Sequence, residues 1–482
     1  MKKLLFLSPV GGWTNGADIA MNHQMQYLKE LGYEIVLVTL FPNTEKYSDF
    51  LAQYKIKSYR LDYTWWRDDN LADHTDSVTN MLAIEKLTQI IRDEQIDVAI
   101  TNTANIPQLS FAAAANNIPH LWLIHEFPEG EFSYTKEKYD YISRFSNELL
   151  ASSDKLQEQI EDASEAVPVS HFYPYTDVSE LALLANEGAP RLISVNAITG
   201  DRKNTLELIK IYQEIKVTNP TLELVITGDI QDNDYYELLK NYIQKHALKD
   251  ISFTNDREKN WSNVKANDIY INTSKQETFG LTMIESLKLG VVQVASSGAA
   301  KAMIALGYLD EAHDTYELGD ISDAVRKIKF KLAHFGEEQK SLNEMQARLA
   351  TEQSLAVITK PLVDAIERYS ENPQRELRYF KNMLISSGQE FENRLTVIED
   401  QKKVNDERFA RIDEQNMLLE ERMAIITQQK MTLDERMTVI DDLRLSEQKL
   451  TETIIEKSAK EAELNQIKNR KLYKIATKLR LL

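Results

Sequence analysis

Apolar residues along the first 370 or so positions come in short unbroken blocks, and the segments between them carry apolar residues at helical spacing. The blocks Lys3–Leu7, Glu34–Leu40, Asp97–Thr101, Leu121–Ile124 and Glu148–Ala151 predict buried parallel strands. A second series follows at Arg191–Asn196, Leu222–Thr227, Ile251–Phe253, Asp268–Thr273 and Val291–Ala295. Between them, positions such as Ile19, Met21, Met25, Leu28 and Leu31 mark one helix face, and Thr205–Val217, Tyr235–Lys245 and Leu281–Leu289 predict further helices. Strands alternating with helices imply parallel sheets covered on both faces. Two such series predict an α/β chain of two Rossmann-like doubly wound domains facing a cleft, at 1–177 and 189–352, with Ala189-Pro190 as the linker. After Leu306 the pattern predicts helix to about Ala350, then a last helix from Ser354 to Tyr369 within a segment 353–372.

The character changes at about Phe391. From there to the end there is no glycine or proline, and a 14-residue repeat appears in which Arg394-Leu395, Arg408-Phe409, Arg422-Met423 and Arg436-Met437 recur in step. Fourteen is two heptads, which places Leu395, Phe409, Met423 and Met437 at a and Ile398, Ile412, Ile426 and Ile440 at d. The arginines fall at g, and three of the four residues five places on (Glu399, Asp413, Asp441, with Thr427 the exception) are acidic. That charge match predicts a parallel homodimer through residues 391–455. The last nineteen residues, 464–482, hold six basic side chains and no acidic one, with Leu472, Ile475, Ala476, Leu479 and Leu482 at helical spacing. This predicts a basic amphipathic tail suited to an anionic membrane surface.

The densest chemistry lies in Asn267 to Ala300. There a strand runs into a polar loop, a helix, a second strand and a small-residue turn. Glu277 in the loop and Glu285, expected two turns into the helix, are placed to hold different parts of one ligand beyond the strand ends. Phe279, Gly280 and Leu281 offer backbone N–H groups at a helix N-terminus, where the macrodipole favours phosphate. In the first domain, the glycine-rich loop that includes Gly12 and Gly16 lets backbone approach a ligand closely at the start of a helix. His125 follows a strand directly, where a site would lie, and Trp65-Trp66-Arg67 and Phe127–Phe132 are candidates for an acceptor groove.

Glu277 and Glu285, with Phe279-Gly280 between them, resemble the E-x7-E motif of retaining glycosyltransferases of the two-Rossmann GT-B fold (group 1, family 4-like), which include bacterial hexosyl- and mannosyltransferases. Gly16-Ala17-Asp18 is similar to the glycine turn of that family, with aspartate in place of glutamate. The resemblance covers roughly residues 1–370 and implies a nucleotide diphosphate sugar as donor substrate, with no other cofactor and no catalytic metal. It implies Lys203, with Arg202, as the diphosphate clamp, Glu285 on the ribose, Glu277 on the transferred sugar and His125 beside that sugar. The catalytic set is then His125, Glu277 and Lys203, and the helix 353–372 crosses back to the first domain. One departure is visible: the arginine usual nearer the strand is absent, and Asn196-Ala197-Ile198 stands there.

Composition trims the alternatives. A net charge of −18 over 482 residues argues against nucleic acid as a partner. The absence of cysteine removes disulfides, thiolate metal sites and a cysteine nucleophile. The apolar start Lys3–Leu7 is too short for a signal peptide, so a cytoplasmic protein resting on the inner face of the cell membrane is expected. The acceptor class suggested by the tail is a surface polysaccharide or lipid-linked glycan. The rival reading is a non-catalytic glycosyltransferase-like subunit that scaffolds a partner enzyme through its coiled coil.

Overall fold

The computed structural model describes residues 2–13, 15–65, 74–128, 136–163, 167–186, 188–200, 202–254, 261–370 and 377–479. The chain divides into one compact unit, Met1–Met383, and a second, Leu384–Leu482. Trp66, Arg67, Asp201, residues 129–132 of the aromatic stretch after His125, and Leu482 lie outside the described residues.

The first unit holds two parallel sheets. In the first, β1 (Lys3–Ser8), β2 (Glu34–Thr39), β3 (Lys57–Arg60), β4 (Val98–Asn102), β5 (His120–Ile124), β6 (Glu148–Ala151) and β7 (Val169–His171) lie in the order β3-β2-β1-β4-β5-β6-β7. The strand order reverses at β1, between β2 and β4. A crevice therefore opens at the C-terminal ends of β1 and β4, where the helices depart to opposite faces. The second sheet repeats the plan with β8 (Leu192–Val195), β9 (Leu224–Thr227), β10 (Ile251–Thr254), β11 (Ile269–Asn272), β12 (Val292–Ser296) and β13 (Thr315–Tyr316), in the order β10-β9-β8-β11-β12-β13. Its crevice lies between β8 and β11. Every strand pair in both sheets is parallel.

Both faces of each sheet are covered. Leu4 and Phe6 pack on one side of β1 against Met21, Met25 and Leu28 of α1 (Gly16–Glu30), while Leu5 and Leu7 face a separate cluster with Leu87 and Leu109. The second sheet likewise sits between a cluster around Met283 and Ile284 and one around Leu208, Ile211 and Ile328. Leu362, Ala365 and Ile366 of α14 (Leu355–Ser370) are fully buried in the first sheet's core, although the chain reaches them only after finishing the second domain. Polar ties reinforce that return. Glu367 takes the Lys2 ammonium and the Tyr33 hydroxyl, and Arg368 Nη1 donates to the buried Glu148 Oε2 at 2.6 Å.

One expectation needs correction. The stretch from Leu306 to Ala350 is not one helix. It is broken into α11 (Glu311–Asp314), the edge strand β13, α12 (Ile321–Ala333) and α13 (Phe335–Glu352). Gly307 and Gly319 take positive φ, and the side chains of Asp310 and Asp320 cap the helices that follow by accepting from His313 N and Asp323 N.

In the second unit, the repeats form one continuous helix that belongs to α15 (Leu377–Asn469). The a and d residues lie on its surface, with Phe409 65% and Ile426 62% exposed. The basic segment does not continue the same helix to its end. Arg470 takes extended backbone angles, and a separate short helix, α16 (Lys471–Lys478), follows.

Candidate active site

The second domain supplies the charged half of the site. The loop after β8 and the loop after β11 are stitched together: Thr273 Oγ1 donates to the carbonyls of Lys203 and Asn204, both at 3.1 Å, and Lys275 N donates to Arg202 O at 2.9 Å. This juxtaposition brings the Lys203 ammonium onto the Glu277 carboxylate in a short buried ion pair, with Arg202 Nη1 3.8 Å from the other carboxylate oxygen. Burial lowers the Lys203 pKa and Glu277 opposes that fall. Burial also disfavours ionised Glu277, but Lys203 and Arg202 beside it hold its carboxyl below the usual range. The small-residue turn after β12 is pressed against the same loop. A Cβ on Gly298 would lie 2.1 Å from Lys275 O, so no larger residue fits there without moving backbone.

Gly280 caps α9 (Leu281–Lys288) in the left-handed region at φ +88°, which stops the helix extending back toward Glu277. Glu285 is therefore the fifth residue of α9, one turn in and not two as expected. Phe279 is buried and its ring packs 5.3 Å from Tyr173. The first-domain helix α1 arrives opposite: the Cβ missing from Gly16 would lie 3.0 Å from Leu281 Cδ1, so two helix N-termini face each other across the cleft.

Glu285 is held on both oxygens, accepting from Thr176 Oγ1 at 2.8 Å and from Trp261 Nε1 at 2.7 Å, and burial raises its pKa. Lys288, one turn later, donates to the Thr176 carbonyl at 2.7 Å and lies 4.3 Å over the Tyr175 ring; burial lowers its pKa to about 8. Neither Thr176 nor Trp261 was legible as a site residue, since they stand 109 and 24 positions from Glu285 and belong to no motif.

The first domain supplies the other half. Asn22 Nδ2 donates to the Gly12 carbonyl at 2.6 Å, and the Asn15 side chain caps α1 by accepting from Asp18 N at 2.9 Å. Asp18 is buried, takes hydrogen bonds from Ser8 Oγ and Asn15 Nδ2, each at 2.7 Å, and burial pushes its pKa up to about 6. His125, just past β5, meets Asn102 Oδ1 at 2.7 Å, and burial lowers its pKa to about 4, so the ring is neutral at pH 7. Its neighbour Glu126 is clasped by the Thr103 hydroxyl, by Ala104 N at 3.2 Å and by His125 N at 3.1 Å, and burial raises its pKa. Asn196, where the clamp arginine is missing, turns its amide toward Ser194 Oγ and Tyr270 OH, at 3.4 and 3.5 Å.

Residues 179–314, which include Lys203, Glu277 and Glu285, match the family model "Glycosyl transferases group 1". No curated protein matches the chain. Solved structures share the fold. The Anabaena protein HepE, in complex with UDP and glucose, aligns with TM-score 0.61 at 14% identity over 76% of this chain and 100% of its own. Sucrose-phosphate synthase from Thermosynechococcus elongatus aligns with TM-score 0.59 at 13% identity over 76% and 100%. S. aureus TarM, in a complex containing UDP and alpha-GlcNAc-glycerol, aligns with TM-score 0.58 at 12% identity over 76% and 100%. The chain thus carries a group 1 glycosyltransferase domain within a two-domain GT-B fold. The class that the matched family model describes is glycosyltransferase.

Proposed function

We propose that the chain is a retaining, metal-independent hexosyltransferase that moves a sugar from a nucleoside diphosphate donor to a bacterial surface polysaccharide or lipid-linked glycan. The observation that carries this reading is the buried Lys203–Glu277 pair with Arg202 alongside, facing the Gly280 cap of α9 with Glu285 one turn beyond. The donor diphosphate sits against Lys203, Arg202 and the amides of Phe279, Gly280 and Leu281. Glu285 binds the ribose hydroxyls, Glu277 the transferred sugar, and His125 positions that sugar from the other domain, beside the loop that holds Gly12 and Gly16. The bond from the anomeric carbon to the phosphate oxygen breaks with its electron pair on the phosphate. The acceptor hydroxyl attacks on the same face and gives its proton to that phosphate oxygen. Lys203 and the α9 amides stabilise the charge that develops there, in a site shielded from bulk water.

HepE was solved with UDP and glucose, so UDP-glucose leads the donor panel to be tested. Purified protein incubated with nucleotide sugars should release nucleotide, undiminished by EDTA. Glu285→Ala should lower turnover at least tenfold, about 1.4 kcal/mol. Activity abolished by EDTA and restored by Mn²⁺ would sink the metal-independent reading. A second reading, a nucleotide-binding scaffold subunit, draws on Asn196 in the arginine's place. Tight UDP binding with no turnover of any donor would select it.

The exposed a and d residues of α15 and the matched g–e′ charges support a parallel homodimer. The basic α16 supports attachment to an anionic leaflet, each Lys or Arg contributing about 1 kcal/mol. Flotation with phosphatidylglycerol vesicles at low salt, lost when residues 464–482 are removed, tests the second point. Equal flotation of the truncated chain would refute it.

A further inference from the structure

Three buried polar side chains of the first domain, Asp18, Ser8 and Asn102, and the partly buried His125 form a hydrogen-bond chain whose every direction can be assigned. It begins at Asp18, where Ser8 Oγ approaches Oδ1 at 2.7 Å and donates its proton to the carboxylate. Ser8 Oγ is thereby left as an acceptor, and Asn102 Nδ2 stands 3.4 Å from it. The same Nδ2 lies 3.4 Å from the Ala17 carbonyl, an atom that only accepts. Both neighbours therefore demand the amide N–H₂ on that side of Asn102, which turns Oδ1 toward His125. Oδ1 has no proton to give, so the 2.7 Å contact with His125 Nε2 requires the ring to donate. A neutral imidazole carries one N–H, so Nδ1 is left as a lone-pair nitrogen. Phe172 stands edge-on to the ring, centroids 5.5 Å apart.

The geometry assigns to Asn102 the part of a positioning residue that holds His125 as the Nε2–H tautomer, so that the ring meets a hydroxyl of the transferred sugar only as an acceptor, through Nδ1. The inference rests on the cleft being the donor-sugar site. An acceptor nitrogen selects a sugar that presents a free hydroxyl at that point and discriminates against one carrying only an ether or carbonyl oxygen there. Such selection is sharp because an unmatched buried polar atom is costly. Asn102 itself does not meet the sugar, and it acts through the ring.

The test uses the full chain with isotope-labelled histidine. The two ring nitrogens are read by long-range proton–nitrogen correlation, and the His125 signals are identified by their loss in His125→Gln. The wild-type protein without ligand should show a protonated Nε2 and a bare Nδ1. Asn102→Leu should lose that single-tautomer pattern and lower kcat at least tenfold with the best donor, while UDP affinity stays within about twofold of wild type. Asn102→Asp, which keeps an acceptor facing Nε2, should retain the tautomer and recover part of the lost rate. A wild-type ring protonated at Nδ1 overturns the assignment without any variant having to fold, as does Asn102→Leu with an unchanged ring and unchanged kcat. Failure of the wild type to consume any nucleotide sugar would overturn the donor reading and the sugar contact with it. The ring spectrum without ligand separates that outcome from an error about Asn102.

Discussion

Replacing Lys203 by methionine tests the centre of the site, because the structure says what is left behind. Glu277 is buried and its main partner is the Lys203 ammonium, so removing that cation strands a carboxylate. Breaking one side of a buried ion pair costs about 3–5 kcal/mol. Here Arg202 remains 3.8 Å from Glu277, but with 42% of its side chain exposed it offsets only about 0.2–1 kcal/mol. Lys203→Met should therefore lose about 2–5 kcal/mol of unfolding free energy in a denaturant titration. Glu277→Gln should cost less, because Lys203 can shed its proton and burial already lowers its pKa. The double variant removes both charges and should recover stability, giving a coupling of at least about 1.5 kcal/mol in the cycle. UDP should raise the midpoint of the wild type and leave that of Lys203→Met nearly unmoved, since the cation proposed for the diphosphate is gone. Additivity within about 0.3–0.5 kcal/mol, or a Lys203→Met protein as stable as wild type, would refute the claim that the pair is a dry one.

Asp18 predicts a pH dependence. Its folded pKa of about 6 lies above the ordinary 3.8, so its protonation favours the folded state. That contribution is complete below the ordinary value and is lost as pH rises through about 6. Relative to Asp18→Asn, the wild type should lose up to about 3 kcal/mol of unfolding free energy over that window, and a pH-independent difference would count against it. Ile366→Ala, in the fully buried face of α14, should cost about 2–5 kcal/mol by denaturation, whereas Lys360→Ala on the exposed side should change stability little. Lysine at Ile412 and Ile426 should convert a sedimenting dimer to a monomer while the melting of the first unit stays put. A variant that remains dimeric would place the interface elsewhere.

Most of the strands that sequence made legible are buried on both faces, and the part-exposed edge strand β10, with its Ile-Ser-Phe run, is the exception. β1, β2, β4, β5 and β6 are almost wholly buried, and their apolar runs stood out within a residue or so of their ends. β3, β7 and β13 did not stand out, because edge strands need no apolar run. β3 reads Lys-Ser-Tyr-Arg and is mostly exposed, and β13 is two residues long. The breaks between Leu306 and Ala350 did have signals in Gly307, Asp310, Gly319 and Asp320, and helical spacing on either side masked them. At the site, the glutamates and Lys203 were legible as types at a spacing, but what they touch was not. Lys203 meets Glu277 across 74 positions and Thr176 meets Glu285 across 109. The first contact is set by which loops the neighbouring strands β8 and β11 bring together and the second by how the two domains meet, and periodicity encodes neither.

A chain of net charge −18 proposed to hold a diphosphate poses an electrostatic puzzle that the site's layout resolves. Two charges about 4 Å apart at an effective dielectric of about 20 interact by about 4 kcal/mol, so one buried ammonium at contact range outweighs many distant carboxylates. Surface acids more than about 8 Å away are screened at physiological salt. The acids near the cleft are dealt with individually. Glu277 is matched by Lys203 and Arg202, Glu285 is held by Thr176 and Trp261, and Glu126 by the Thr103 hydroxyl and two backbone amides. His125 stays neutral and adds no charge. The cleft can therefore receive an anion because its own carboxylates are already satisfied, while the cations and the α9 N-terminus keep their reach at short range. The excess negative charge over the rest of the surface bears on solubility and on how fast an anionic donor arrives, both of which depend on salt, and hardly at all on how tightly the donor is held once inside.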